Sequence, residues 1–165
     1  MAGRLQPMRN FIKFLRAFYF IPDIYWAKKI PFRTNPREFS LDRVSKELVV
    51  KRLGVHLEKG KQDFLIEALD WLLGLQSRFG ITLRIEPTGD VILEIGGVKF
   101  LVEDIWDIGT IKEIFADHVY NFVIGEPLVV LDIGMNIGVA SLFFAANPNV
   151  QTVYGYEPFQ QTYRH

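Results

Sequence analysis

The chain has 165 residues, of which 49% are hydrophobic, and its 19 lysines and arginines balance 19 aspartates and glutamates. This hydrophobic content, which includes 14 phenylalanines, predicts a packed globular protein and excludes a disordered chain. Cysteine is absent, which excludes disulfides and thiolate chemistry, and the three histidines lack the spacing of metal ligands. We therefore expect no metal site.

The zero net charge hides a strong asymmetry along the chain. Residues 1–61 contain 14 lysines and arginines against 5 acids, a net of +9, whereas residues 62–165 contain 5 against 14, a net of −9. This division predicts two regions with different surroundings, or a basic arm that folds against an acidic body. The basic residues are dispersed and no recognition motif accompanies them, so we expect no nucleic-acid partner.

Residues 8–21 form the first predicted element, a cationic and aromatic helix. Five apolar residues would share one face of it: Phe11, Ile12, Leu15, Phe18 and Tyr19. Three cations would lie toward the other: Arg9, Lys13 and Arg16. The pattern suits a peripheral membrane helix, or an amphipathic helix that packs on its own protein, which we favour. The segment is too short and too charged to span a bilayer, and Arg16 interrupts a signal-peptide core, so we expect a cytoplasmic location.

Prolines at positions 22, 31 and 36 predict an irregular connector over residues 22–39. Ser40 and Gly54 then have the positions of a cap and a stop for a helix over residues 41–53. A strong apolar periodicity predicts a second helix over residues 62–78, which Gly80 ends.

A β-meander follows, with strands predicted at residues 81–86, 91–95 and 98–102. The turns between them are Pro87-Thr-Gly-Asp90 and Gly96-Gly97, which suit hairpins. Thr110 and Glu113 have the spacing of a capping box, so a helix is predicted from Ile111 to about Tyr120.

The most informative part of the sequence is its last predicted strand–helix–strand unit. A run of branched apolar residues, 128–133, predicts a strand buried on both faces, and a helix is predicted from Val139. Gly134 and Gly138 let the backbone between them turn sharply and approach a ligand. A second apolar strand begins at Val150 and ends at Glu157, which lies 23 residues after Gly134. This spacing suits a carboxylate that accepts hydrogen bonds from ribose hydroxyls, as in nucleotide-binding βαβ units.

The turn departs from the dinucleotide pattern G-x-G-x-x-G, because it contains Asp132, Gly134, Asn136 and Gly138 at alternate positions. A carboxylate two residues before the first glycine is a poor neighbour for a pyrophosphate and a good one for an ammonium group. S-adenosyl-L-methionine carries that ammonium group, a ribose and no phosphates. An ordinary strand-to-helix turn, or a nicotinamide-dependent oxidoreductase, remains as an alternative.

At these residues the chain resembles the S-adenosylmethionine-dependent methyltransferases, and more narrowly the FkbM-type family. The narrower resemblance rests on V-V-L-D-I-G-M-N-I-G, on Y-E-P-F at residues 156–159, and on E-I-F-A-D-H-V-Y at residues 113–120. It implies that Asp132, Gly134, Asn136 and Gly138 line the methionine and ribose end of the cofactor. It also implies that Glu157 binds the ribose hydroxyls and that Phe159 lies near the adenine. The implied reaction is O-methylation of a sugar or natural-product hydroxyl, that is, a carbohydrate or small-molecule acceptor.

The predicted fold class is therefore α/β, an incomplete Rossmann-like methyltransferase sheet preceded by a helical and β-meander region. We divide the chain into a basic arm and connector (1–39), a helical region (40–80), the meander with its helix (81–127) and the βαβ unit (128–165). His165 follows Glu157 by eight residues, so we expect an N-terminal part of an enzyme that is inactive alone. A non-catalytic interaction module with a membrane- or partner-binding arm is the alternative. The sequence indicates no oligomeric state.

Overall fold

The computed structural model describes residues 5–31, 34–120 and 125–160, with side chains described from Ile12 onward. The protein is a mixed α/β structure. Its helices are α1 (Leu5–Phe20), α2 (Ile24–Lys29), α3 (Asp63–Glu67), α4 (Leu69–Phe79), α5 (Ile105–Phe115) and α6 (Val139–Ala145). Its strands are β1 (Phe39–Leu41), β2 (Leu48–Val50), β3 (Val55–Leu57), β4 (Thr82–Ile85), β5 (Val91–Ile95), β6 (Val98–Val102), β7 (Leu128–Ile133) and β8 (Val150–Tyr156).

The described strands form three small sheets. Strands β1, β2 and β3 make one antiparallel meander, and β4, β5 and β6 make another. Strands β7 and β8 pair in parallel, with Asp132 opposite Gly155. A parallel pair needs a crossover, and α6 supplies it by packing on one face of the two strands.

One hydrophobic core serves most of the protein. Its buried residues run from Ile21 to Val139 and include the fully buried Trp26, Leu72 and Ile108. The core therefore crosses the predicted segment boundaries after residues 39, 80 and 127. The division into four segments stays a prediction.

The prediction of a helix over residues 41–53 is wrong, because this segment contains the end of β1, all of β2 and the turns on either side of β2, and β3 follows at Val55–Leu57. Burial alternates along β2 and β3, where Val49 is only partly buried and His56 is exposed, and this is the period of a strand. The Asp42 carboxylate accepts hydrogen bonds from the backbone N–H groups of Val44 and Ser45, at 2.8 and 3.0 Å, and so closes the first turn. The predicted helical region is thus β-rich in its first half, with Ser40 in a strand rather than at a cap.

The second predicted helix exists but is broken in two. Ala68 separates α3 from α4 with φ −84° and ψ 2°, outside the α-helical range. Gly80 ends α4 in the left-handed conformation, with φ 63°, as its position predicts. The apolar periodicity that predicts this helix faces the core, because Leu65, Leu69 and Leu72 are buried.

The second meander is confirmed, and β5 and β6 have the predicted bounds. The following helix starts six residues earlier than predicted, because Asp104 is its N-cap and forms a capping box with Asp107. Thr110 instead donates its hydroxyl to the carbonyl oxygen of Trp106, inside the helix, at 3.0 Å. The predicted capping box at Thr110 is therefore wrong, and α5 ends at Phe115 rather than near Tyr120.

The predicted N-terminal helix is present as α1, and α2 lies within the predicted irregular connector. Ala17 is buried against the body, as is Ile21 just beyond the helix. Ile12, Leu15 and Tyr19 instead share an exposed face, so the helix packs on its own protein and still presents apolar side chains to solvent. The side chain of Phe11 lies outside the described residues. Within the described part of the chain, no helix is long and apolar enough to cross a membrane.

Strand β7 has the predicted bounds, but the prediction that it is buried on both faces is wrong. Burial alternates along it, and Val129, Leu131 and Ile133 are more than half exposed. Tyr154 and Tyr156 of β8 are likewise more than half exposed. Only the face that α6 covers is shielded, so the parallel pair joins the core chiefly through this helix.

Candidate functional site

The candidate site is built on the turn between β7 and α6. Gly134, Asn136 and Gly138 all have positive φ values, of 81°, 51° and 81°. Glycine adopts this conformation without strain, and asparagine tolerates it better than most other residues do. The backbone N–H groups of Gly134 and Met135 donate to the carbonyl oxygen of Tyr156, at 2.8 and 3.1 Å. The turn is therefore tied to the carboxyl end of the neighbouring strand.

Glu157 connects the turn after β7 with the segment that follows β8. One carboxylate oxygen, Oε2, accepts a hydrogen bond from the backbone N–H of Asn136 at 2.7 Å, and Oε1 accepts one from Phe159 at 2.8 Å. A carboxylate oxygen can accept two hydrogen bonds, and within residues 5–31, 34–120 and 125–160 each oxygen accepts one, which leaves a second acceptor position for a ligand. The side chain of Phe159 is 71% exposed beside this carboxylate. The structure thus brings Asn136, Glu157 and Phe159 into one cluster, although the first two are 21 residues apart along the chain.

Asp132 lies at the same edge of the sheet but is held differently. Its Oδ2 atom accepts a hydrogen bond from the Ser141 hydroxyl at 2.6 Å, and the residue is partly buried. This bond fixes the carboxylate against α6 and engages one of its two oxygens. The described residues form no hydrogen bond or ion pair with its Oδ1 atom. Asp132 therefore presents one oxygen for a ligand at the end of β7.

Two features of the site escaped prediction. Ser141 positions Asp132, and Met135 packs on Gly155, where an added Cβ would lie 2.2 Å from the Met135 Sδ atom. A glycine inside a strand is a known sign of close approach, so Gly155 could have been recognised from sequence. Ser141 carries no comparable sign, because only the structure shows which helix residue faces Asp132.

Four N–H groups of the turn are already engaged within the protein. Those of Gly134 and Met135 bond Tyr156, that of Asn136 bonds Glu157, and that of Gly138 bonds the Met135 carbonyl oxygen at 2.9 Å. A phosphate-binding loop uses free N–H groups for its anion. Helix α6 has only seven residues, so the carboxylates rather than a helix dipole dominate the electrostatics of this site. The described residues hold no cluster of metal-ligating side chains.

The described protein is thus a mixed α/β structure with a carboxylate-lined turn at the end of a parallel strand pair. The chain matches no protein-family model, no curated protein and no solved structure. Its function is therefore inferred from the chemistry of this site.

Proposed function

We propose that the chain is the cofactor-binding part of an S-adenosylmethionine-dependent O-methyltransferase of the FkbM type, with β7, α6 and β8 as the start of a Rossmann-like sheet. The single observation that carries the proposal is the hydrogen bond between Glu157 and the backbone of Asn136. This bond brings the Glu157 carboxylate, which follows β8, to the turn that follows β7, as a ribose-binding carboxylate requires.

The residues of the site fit this cofactor. Each carboxylate oxygen of Glu157 accepts one hydrogen bond from the described part of the chain, and a second acceptor position on each would suit a pair of ribose hydroxyls. Asp132 would hold the ammonium group, and Gly134 and Gly138 leave the turn without side chains that would block the ligand. Phe159 is exposed beside Glu157 and would pack against the adenine. When bound, the cofactor supplies a methyl group already activated by its sulfonium.

The protein's own task is then to hold and orient the cofactor against an acceptor. Displacement at an activated methyl carbon needs the acceptor oxygen in line, which is mainly a matter of positioning. We expect the acceptor to be a sugar or natural-product hydroxyl, whose proton a base must take. Asp132 and Glu157 are committed to cofactor binding, so neither is that base. The proposed location is the cytoplasm.

The engaged N–H groups and the carboxylates of the turn favour this cofactor over a nicotinamide dinucleotide. A pyrophosphate needs free backbone N–H groups, whereas those of Gly134, Met135, Asn136 and Gly138 are engaged within the protein. Two carboxylates, those of Asp132 and Glu157, would also face the two phosphate charges. Both features oppose an anion and suit a ligand with an ammonium group and a ribose.

Calorimetric titration of the 165-residue chain with S-adenosylhomocysteine and with NAD tests the proposal. We expect the thioether ligand to bind more tightly than NAD. Glu157→Gln should weaken it about tenfold, because a hydrogen bond to a charged group contributes about 1.5 to 3 kcal/mol. The amide oxygen of the new glutamine can still accept from Asn136, whereas its NH2 group would face the Phe159 N–H, which loses its acceptor. Circular dichroism checks that this variant is folded.

Glu126→Gln is the matched control, because Glu126 is an exposed carboxylate just before the opposite end of β7. It should leave the affinity unchanged. Tighter binding of NAD, equal binding by the Glu157→Gln variant, or no binding of S-adenosylhomocysteine at millimolar concentration would each contradict the proposal.

A further inference from the structure

Helix α1 presents a row of apolar side chains to solvent. Ile12 is 53% exposed, Leu15 is 48% exposed and Tyr19 is 83% exposed. Their spacing of three and four residues places them on one face of the helix. Phe20 and Ile24, at 40% and 59% exposed, continue the apolar surface toward α2. An exposed apolar row of this kind marks a contact surface rather than a scatter of single residues.

Cations accompany this row. Arg16 is exposed on the same face, four residues after Ile12 and three before Tyr19, and not on the opposite face as predicted. Lys13 and Lys28 line a surface groove of about 280 Å³ between α1 and α2, together with Phe14 and Ala27. Among the described residues, no carboxylate pairs with Arg16, Lys13 or Lys28. The charges are therefore available to an anionic partner.

The opposite side of α1 holds the helix in place. Ala17 within the helix and Ile21 just after it are buried in the body of the protein, at 3% and 0% exposed. The apolar row is thus presented by a helix that is already folded and packed. A partner that binds it does not have to pay the ordering entropy of a free peptide.

We propose that α1 docks on the surface of a bilayer that contains anionic phospholipids, with Ile12, Leu15 and Tyr19 at the level of the acyl boundary. Arg16, Lys13 and Lys28 would contact the headgroup phosphates. The combination favours a membrane over an acidic protein, because the acidic residues of a protein partner would satisfy the cations but leave the apolar row without a role. Interfacial helices need both parts, an apolar face and flanking cations. The inference is independent of the proposed methyltransferase site.

Co-sedimentation of the full 165-residue chain with vesicles tests the docking surface. One set of vesicles contains phosphatidylcholine with phosphatidylglycerol, and the other contains phosphatidylcholine alone. We expect the chain to sediment with the anionic vesicles and much less with the neutral ones. Binding should weaken as salt rises, since the surface potential acts only within a Debye length.

Two double variants separate the apolar from the charged contribution. Arg16→Gln with Lys28→Gln should lower the partition coefficient about 25-fold, because each cation near an anionic surface contributes about fivefold. Leu15→Ser with Tyr19→Ser should lower it about tenfold or more, because each buries apolar surface on docking. Circular dichroism checks that both variants keep the helix content of the wild type.

Two matched controls remove comparable groups elsewhere. Val44 and Trp106 are 93% and 75% exposed, and their double replacement by serine should leave vesicle binding unchanged. Lys99→Gln removes an exposed cation from β6 and should change binding by less than either α1 variant does. Equal sedimentation with both vesicle types, equal binding by the α1 variants and the controls, or binding to polyglutamate but not to vesicles would overturn the proposal. The last result would identify an acidic protein partner instead.

Discussion

Tyr25 and Asp63 link α2 to α3, and Tyr25→Phe removes a single hydrogen bond from this contact. The Tyr25 hydroxyl donates to the Asp63 carboxylate, which also pairs with the Lys29 Nζ atom at 3.0 Å and accepts from the Gly60 backbone N–H at 3.3 Å. The Tyr25 ring packs edge-on against Trp26, with centroids 5.0 Å apart, and phenylalanine keeps that packing. The substitution therefore tests the hydroxyl alone.

The expected cost follows from the character of this bond. A hydrogen bond to a charged group contributes about 1.5 to 3 kcal/mol to the free energy of unfolding, and the lower end applies where solvent screens it. The Asp63 side chain is 21% exposed and that of Lys29 is 37% exposed, so screening is substantial. We expect Tyr25→Phe to lower the free energy of unfolding by about 1.5 kcal/mol at about pH 7.

The effect should depend on pH in a defined direction. Burial alone would raise the pKa of Asp63, but hydrogen bonds from Tyr25 and Lys29 outweigh it and hold the pKa below its ordinary value of 3.8. The folded-state pKa is the lower one, so this stabilisation is present above pH 3.8 and is lost as the pH falls through the folded-state pKa. The hydrogen bond to Asp63 raises the pKa of Tyr25 above 10.0, so its stabilisation is present below pH 10 and is lost as the pH rises through the folded-state pKa.

Urea unfolding followed by tryptophan fluorescence measures the difference between wild type and variant. The gap should be largest near neutral pH and should narrow below pH 3.8, where Asp63 becomes protonated. Tyr154→Phe is the control, because Tyr154 is 55% exposed and its loss of a hydroxyl should change stability by less than 0.5 kcal/mol, roughly the usual range for surface substitutions. A Tyr25→Phe cost no greater than that of the control, or a cost that does not change on acidification, would refute the reasoning.

Two further substitutions probe the site and a helix cap. Gly155→Ala should destabilise the protein by about 0.5 to 1.5 kcal/mol because its Cβ would lie 2.2 Å from the Met135 Sδ atom and force this flexible side chain out of its rotamer, and Met135→Ala in the same chain should recover much of the loss. Equal urea midpoints for wild type and the single variant would contradict this. Asp104→Ala should cost about 1 kcal/mol by removing the N-cap of α5, whereas Thr110→Ala should cost less, as judged by urea unfolding. The reverse order would show that the helix begins where its sequence pattern suggests.

The accuracy of the sequence predictions depends on the range of the interactions that decide each element. Strands β5, β6 and β7 have the bounds that their apolar runs and flanking glycines predict, because both are local features. Residues 41–53 contain good helix formers, yet they form the end of β1, all of β2 and the turns beside it. The turn held by Asp42 and the burial of β2 and β3 outweigh helix propensity there. The contribution of this turn and of this burial to stability cannot be predicted without knowing what β2 and β3 pack against.

The helix caps show a competition between two local patterns. Asp104 with Asp107, and Thr110 with Glu113, both have the spacing of a capping box. The first pair caps the helix that includes Ile108, which is fully buried and lies before the start that Thr110 would give. Burial of apolar residues contributes more than one cap, so packing selects between two caps that the sequence leaves equal.

In the candidate site, the residues could be predicted from the sequence but their spatial arrangement could not. Asp132, the turn glycines and Glu157 could be identified from residue type and spacing, because a strand, a turn and a second strand fix their approximate places. Their relation to one another depends on register: with Asp132 opposite Gly155, the parallel strands β7 and β8 end side by side, and the carboxylate of Glu157 reaches the N–H of Asn136. A shift of one residue would turn the side chains of β8 to its other face and separate these groups. We infer that the packing of α6 on both strands and the contact of Met135 with Gly155 set this register. The Gly155→Ala variant tests that contact, and the Glu157→Gln variant tests the carboxylate that the register places beside Asn136.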